Sequence, residues 1–254
     1  MKKTIVLCYL LISVLFVHAQ DSTPIKNKWS FFVEPYLMFP SMSGDMGLGN
    51  LPDVPVDANP GDILSHLQMG AMLHVEARTN KWSIASDVLY MKLKQDATPG
   101  NVINYGNATV QQTAWELAGL YKINSWLEAG AGARLNNIGA DVEVNHVKPG
   151  IGESITETAS ITETWVDPIL ITRVTAPLKG KWLLQVRADM GGFGVGSKFA
   201  WQVQADAGYK FSKLFQATIG YRYMEMNYST GSDSDRFLYD MAILGPTVRF
   251  GFSF

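Results

Sequence analysis

Phe199-Ala-Trp201-Gln-Val203-Gln-Ala205-Asp-Ala207-Gly-Tyr209-Lys210 sets Phe, Trp, Val, Ala, Ala and Tyr on one file of positions and Ala, Gln, Gln, Asp, Gly and Lys on the other. A period of two held over this length marks a strand whose two faces meet different environments. The flanking segments repeat the pattern. Trp182, Leu184, Val186, Ala188 and Met190 oppose Leu183, Gln185, Arg187, Asp189 and Gly191, and Phe215, Ala217, Ile219, Tyr221 and Tyr223 oppose Gln216, Thr218, Gly220 and Arg222. Strands of ~9–11 residues with lipid outside and a polar lumen inside read this way. The chain finishes on Phe250-Gly-Phe252-Ser-Phe254, so the alternation continues to the terminal carboxylate. A closed membrane barrel must seal its first strand with its last, which accounts for such an ending.

Extending the pattern over the whole chain predicts an all-β, closed antiparallel transmembrane barrel of about ten strands, with eight as the alternative if the stretch 140–165 is misread. The expected strands cover 29–39, 67–79, 82–93, 109–122, 126–140, 161–177, 181–191, 198–210, 214–227 and 236–254. Their connections fall into two classes. Short turns such as Thr79-Asn-Lys-Trp82, Lys122-Ile-Asn-Ser-Trp126, Lys179-Gly-Lys-Trp182 and Phe211-Ser-Lys-Leu-Phe215 each place an aromatic residue at the next strand's start. Aromatic belts at the headgroup level and short periplasmic turns explain them. The alternate connections, 40–66, 94–108, 141–160, 192–197 and 228–235, are mostly longer and rich in Gly, Asp, Asn and Pro, as expected of loops outside the cell. Within the first of them, Ile63-Leu-Ser-His-Leu67 has the mixed periodicity of a short helix, with folding over the barrel mouth, binding of a partner and packing against the barrel rim as the alternatives.

The other end of the chain agrees. Lys2-Lys3, an apolar stretch from Ile5 to Val17, and the small-residue site Val17-His-Ala19 form a secretory signal, expected to be cleaved after Ala19. Residues 20–28 are then a short extension and 29–254 the barrel. The only cysteine, Cys8, falls inside the signal, so the mature chain is expected to have no disulfide, cysteine metal site or cysteine nucleophile. Nineteen basic against twenty-three acidic residues give the mature chain a formal charge of −4, which argues against a nucleic-acid partner.

Val166-Asp167-Pro168, Asp189-Met-Gly-Gly-Phe-Gly-Val-Gly-Ser197, Trp201-Gln202, Gly220-Tyr-Arg-Tyr223 and the terminal Phe254 give a more specific likeness. The chain resembles the small single-domain outer-membrane β-barrels of Gram-negative bacteria, in particular a family with a conspicuous Gly-Gly-Phe-Gly segment. The resemblance runs from about Trp29 onward and is strongest after residue 165. It implies an outer-membrane location and insertion by the barrel-assembly machinery through the last strand, with Phe250, Phe252 and Phe254 as the assembly signal. The expected surroundings are outer-membrane lipid and lipopolysaccharide.

The polar files supply the candidate site: a lumen network of Glu34, His74, Glu76, Arg78, Asp87, Glu116, Arg134, Asp167, Arg173, Arg187, Asp189, Asp206, Arg222 and Arg249, with Lys122, Glu128 and Lys210 on the same faces. Acidic and basic residues balance in this set, unlike the biased lining of a selective channel. Pairing between neighbouring strands is therefore expected to fill a narrow lumen. The leading functional expectation is a structural or interaction barrel; the alternatives are a small pore for ions or small solutes and a barrel-embedded hydrolase.

Three patterns imitate chemistry. Gly191-Gly-Phe-Gly-Val-Gly-Ser-Lys198 lacks the Gly-Lys-Ser/Thr order and the following helix of a phosphate loop, and reads as a tight interstrand turn. His74 and Glu76 share a face that Asp87 can approach, as an acid–base or metal group would require, but no second mature His shares that face and no serine nucleophile is evident. The remaining histidines, His66 and His146, read as loop residues. Ser229-Thr-Gly-Ser-Asp233-Ser-Asp235 is oxygen-rich but has no EF-hand spacing, so it reads as a solvated loop. No catalytic residue, cofactor or metal is expected, and no enzymatic activity.

Overall fold

The two-residue alternation becomes extended backbone almost throughout. The computed structural model describes residues 29–50, 52–96, 103–147 and 154–254, so the expected signal segment and the extension 20–28 lie outside it. The described elements are β1 (Ser30–Met38), β2 (Ser41–Leu48), β3 (Val54–Ala58), α1 (Pro60–His66), β4 (Leu67–Arg78), β5 (Trp82–Asp96), β6 (Ile103–Lys122), β7 (Leu127–Val147), β8 (Ser154–Pro177), β9 (Trp182–Gly191), β10 (Phe199–Lys210), β11 (Phe215–Thr230) and β12 (Phe237–Ser253).

β1 and β4 to β12 pair in sequence order, each antiparallel to the next, and β12 returns to β1 with Phe32 opposite Ser253 and Met38 opposite Thr247. The sheet is therefore a closed ten-stranded barrel. The eight-stranded alternative fails because the described residues of that stretch, 140–147 and 154–165, fall within β7 and β8, which pair over their whole length.

β2 continues the line of β1 along β12 in unbroken register, from Ser41 opposite Leu244 to Leu48 opposite Phe237. At the junction the Phe39 N–H donates to the Pro246 carbonyl at 3.0 Å. The chain then turns back as β3 on β2's free edge. The expected loop 40–66 thus holds two strands and a helix. α1 starts a turn earlier than the sequence suggested, because Asn59 and Asp62 form reciprocal capping bonds of 3.0 and 3.1 Å around Pro60. His66 belongs to this helix rather than to a loop.

The described residues of 94–108 and 141–160 are strand, and the backbone of His146 pairs as part of β7, whereas in 228–235 the strand ends at Thr230 and Asp233–Asp235 form a single 3-10 turn. The reason is visible on β8. Its outward file is apolar at Val166, Leu170 and Val174 but becomes Thr156, Thr158, Ser160, Thr162 and Thr164 higher up. A contrast between lipid-facing and lumen-facing residues disappears where the outer face meets water, although the sheet goes on.

β9 needs ten residues to cross, whereas β7 and β8 have 21 and 24. The upper parts of β5 to β8 and of β11, β12, β2 and β3 rise as two facing sheets. Between them lies an apolar core that includes Ile138, Trp165, Met224, Met226, Tyr228, Tyr239 and Met241, with Met42, Met46, Met72 and Ile161 at its margin. At the opposite end, rings meet around the outside of the barrel: Trp182 with Tyr209 at 5.0 Å, Tyr209 with Phe211 at 4.9 Å, and Phe215 with Phe252 at 5.3 Å. This girdle lies beside the short lysine-bearing turns, as an aromatic belt at a headgroup level would.

One ion pair clamps the edge of the sheet formed by β12, β2 and β3. Arg236 grips Asp53 with both terminal nitrogens, at 2.7 and 3.0 Å, and the hydrogen bonds hold the Asp53 carboxyl below its ordinary value. A depressed carboxylate contributes its stabilisation above the unfolded-state value and loses it as pH falls through the folded one. Acidification is therefore expected to loosen the β2–β3 hairpin first, and Arg236→Ala to abolish that pH dependence. Amide hydrogen exchange of Met42–Ala58 checks both outcomes.

Candidate functional site

The inward files of ten strands converge on the lumen, where two residues between charges along a strand become side chains stacked above one another. The lumen has three levels. A vestibule of ≈220 Å³ at the short-turn end is lined by residues including Phe32, Lys122, Thr175, Lys210 and Gln216. A layer of charged side chains closes its inner end. The apolar core of the raised sheets lies beyond.

The charged layer is almost continuous. Glu128 accepts from Arg173 Nε at 2.6 Å, and Arg173 extends both terminal nitrogens to Glu76 at 2.8 and 2.6 Å. Arg78 donates to the same Glu76 at 2.7 Å, from the vestibule side. His74 stands between carboxylates, 3.5 Å from Glu76 and 3.4 Å from Asp87. Asp87 accepts from the Tyr36 hydroxyl at 2.8 Å, and Arg222 reaches both Tyr36, at 3.1 Å, and Asp87, at 3.5 Å. Arg222 also donates to Gln202 at 2.8 Å, and Gln202 donates to Asp189 at 2.9 Å. Arg134 and Arg187 each bridge Glu116 and Asp189, with Arg134 at 3.0 and 2.7 Å. Arg249 pairs with Glu34 at 2.7 Å and lies over the Tyr36 ring.

Some of these pairs join neighbouring strands, as Arg134–Glu116 and Arg173–Glu128 do. Others cross the lumen. Three strands separate β8 from β4, so Arg173–Glu76 runs from one wall to the other; Arg222 on β11 and Asp87 on β5 are equally far apart in the sheet. The sequence reading expected only neighbour pairing. Curvature of a closed sheet explains the difference, because a long guanidinium reaches the far wall of a small barrel as readily as the next strand.

Two of the candidates stand apart from the ion pairs. Asp167 is fully buried without a cation: it accepts from Asn136 Nδ2 at 3.0 Å, Trp165 Nε1 at 3.2 Å, the Ser197 hydroxyl at 2.8 Å and the Ser197 backbone N–H at 2.6 Å. It anchors the Gly-rich turn where β9 leaves β8. Gly192 and Gly194 have φ of 83° and 77° there, and a side chain on Gly196 would press against the Val166 carbonyl. The segment is a turn between strands, with no helix after it. Asp206 takes a 2.6 Å bond from Gln204 instead of a guanidinium. Lys122 and Lys210 sit exposed at the vestibule's outer rim.

The sequence reading missed Tyr36, Gln202 and Trp165. All three share an inward file with a recognised charge, Tyr36 two positions from Glu34, Gln202 four from Asp206 and Trp165 two from Asp167, so the signal was positional. An uncharged side chain on a polar file does not announce that it will bridge charges.

The group His74, Glu76 and Asp87 does come together, but its carboxylates are engaged by Arg173, Arg78, Tyr36 and Arg222. Among the described residues, no grouping of three or more acidic, His or Cys side chains has the arrangement of a metal site.

No protein-family model matches the chain, and no curated protein sequence does. Among solved structures, it is similar to a FadL homologue from Pseudomonas aeruginosa, at 7% identity over 90% of both chains with a TM-score of 0.37. It is also similar to Ail, the attachment invasion locus protein of Yersinia pestis, at 10% identity over 89% of this chain and 98% of that one, TM-score 0.34. The translocator domain of the autotransporter NalP from Neisseria meningitidis aligns at 11% identity over 99% and 95%, TM-score 0.31. These are likenesses of architecture, and no residue's role is carried over from them.

Proposed function

We propose that this protein is a non-conducting outer-membrane β-barrel with a structural or interaction role at the cell surface. The observation that carries the reading is the pair of wall-to-wall bridges, Arg173–Glu76 and Arg222–Asp87, lying beneath an apolar core. A water-filled path needs a continuous polar void, and here one level is occupied by paired charges and the next by Met and aromatic side chains. Opening the first level would strand buried charges at a cost of several kcal/mol each. In this reading the lumen charges catalyse nothing. The signal is removed after Ala19, the strand bearing Phe250, Phe252 and Phe254 is presented to the barrel-assembly machinery, and the finished surface meets lipid and lipopolysaccharide.

Single-channel recording of the mature protein in planar bilayers tests this. The expected record is flat, and a large, steady open conductance would overturn the proposal in favour of a pore.

A further inference from the structure

The raised part of β8 has one edge without a partner strand among the described residues. β9 pairs with it only from Ile169 to Pro177, and the Gly-rich turn covers Val166 to Pro168. From Ile155 to Thr164, β8 pairs with β7 on one side and, among the described residues, with no strand on the other. Which backbone groups face the open side follows from the turn below. The Gly192 N–H donates to the Pro168 carbonyl at 3.1 Å, so Pro168 faces the β9 side. With the two-residue period, the N–H and C=O groups of Thr156, Thr158, Ser160, Thr162 and Thr164 face that side too.

Edges of this length, ~30 Å at about 3.3 Å per residue, are normally blunted by lysine, proline, a bulge or a covering segment. Residues 155–164 contain no lysine or proline, their register against β7 is unbroken, and Thr156 to Ser160 are exposed on both faces. The outer face here is polar, which puts the edge above the membrane. The charge is one-sided as well. Asp141, Glu143, Glu157 and Glu163 lie on this part of β7 and β8, with no Lys or Arg among the described residues of 135–147 and 154–166.

We infer that Ile155–Thr164 receives an extended, basic peptide segment from outside the cell by strand addition. Backbone bonding supplies the fit, and cationic side chains opposite Glu157 and Glu163, six residues apart on one face, supply selectivity. A second copy of this chain is a poor occupant. Copies in one membrane are related by an axis along its normal, so their β8 edges would run parallel, the weaker of the two ladders, and each would offer the other an acidic edge with no cation to pair with it. The inference rests on the interaction reading above and specifies the partner's chemistry.

The test uses mature protein in phospholipid nanodiscs and a fluorescein-labelled probe, Thr-Lys-Thr-Val-Thr-Val-Thr-Lys-Thr-Val, followed by anisotropy. Binding is expected, weakened about tenfold or more by Thr158→Pro with Thr162→Pro, whose lost N–H groups face away from β7. Glu157→Gln with Glu163→Gln should weaken it and flatten its salt dependence. A probe N-methylated at alternate residues should not bind, which keeps the test decisive if the proline variant fails to fold. No binding of the plain probe, or equal binding of the methylated one, would overturn the inference. A conducting barrel that binds the probe would instead overturn the closed-lumen reading alone.

Discussion

Glu76→Ala is expected to destabilise the barrel by about 3–5 kcal/mol, the cost of removing one partner from a buried ion pair. Glu76 is fully buried and receives Arg173 through two nitrogens, Arg78 through one, and the edge of His74. Its removal leaves two guanidinium groups facing each other in a space that water enters only from the vestibule. The measurement is urea unfolding in micelles, or the temperature at which the protein loses its compact mobility on gels. Replacing the whole bridge, Glu76→Gln with Arg173→Met and Glu128→Gln, should recover much of the loss, because the penalty comes from stranded charge more than from a missing attraction. A loss below about 1 kcal/mol for the single substitution, the range of a solvated surface pair, would show that the wall-to-wall bridge is not desolvated.

Trp165→Ala is expected to cost a similar amount, about 3–5 kcal/mol, for a different reason. The indole is stacked on Tyr228, with ring centres 4.0 Å apart and planes within 3° of parallel, and thereby joins the two raised sheets. Its N–H is shared between Ser197, at 2.9 Å, and Asp167, at 3.2 Å. The alanine variant leaves a cavity between the sheets and takes a donor from a buried carboxylate that has no cation. Trp165→Phe keeps the stack and removes only the donor, so about 1 kcal/mol of loss is expected from it. Equal losses in the two variants would mean that the stack contributes nothing. Hydrogen exchange at Gly192–Lys198 should rise in both, since Asp167 holds that turn through the Ser197 amide.

The two sites differ in how far they could be read beforehand. Glu76 and Arg173 stood out as charges on polar files, so their inward direction was legible, but their being partners was not. Trp165 and Met226 were invisible as core residues, because an apolar residue on an inward file breaks the rule that made the barrel recognisable. The same rule cut β7 and β8 short. It detects a boundary between lipid and lumen, and Thr156 to Thr164 meet no lipid.

What the sequence determined by itself was direction. A strand has a period of two, so the alternation from Trp182 to Tyr223 assigned each side chain to lipid or lumen and, with the aromatic turns, specified ten antiparallel strands in a closed ring. What only the tertiary structure decided was distance across that ring: that Arg173 meets Glu76, that Trp165 meets Tyr228, and that β9 stops while β8 continues. Local periodicity records which way a residue points, whereas closure of the sheet brings together residues from opposite walls, and no pattern along the chain encodes that meeting.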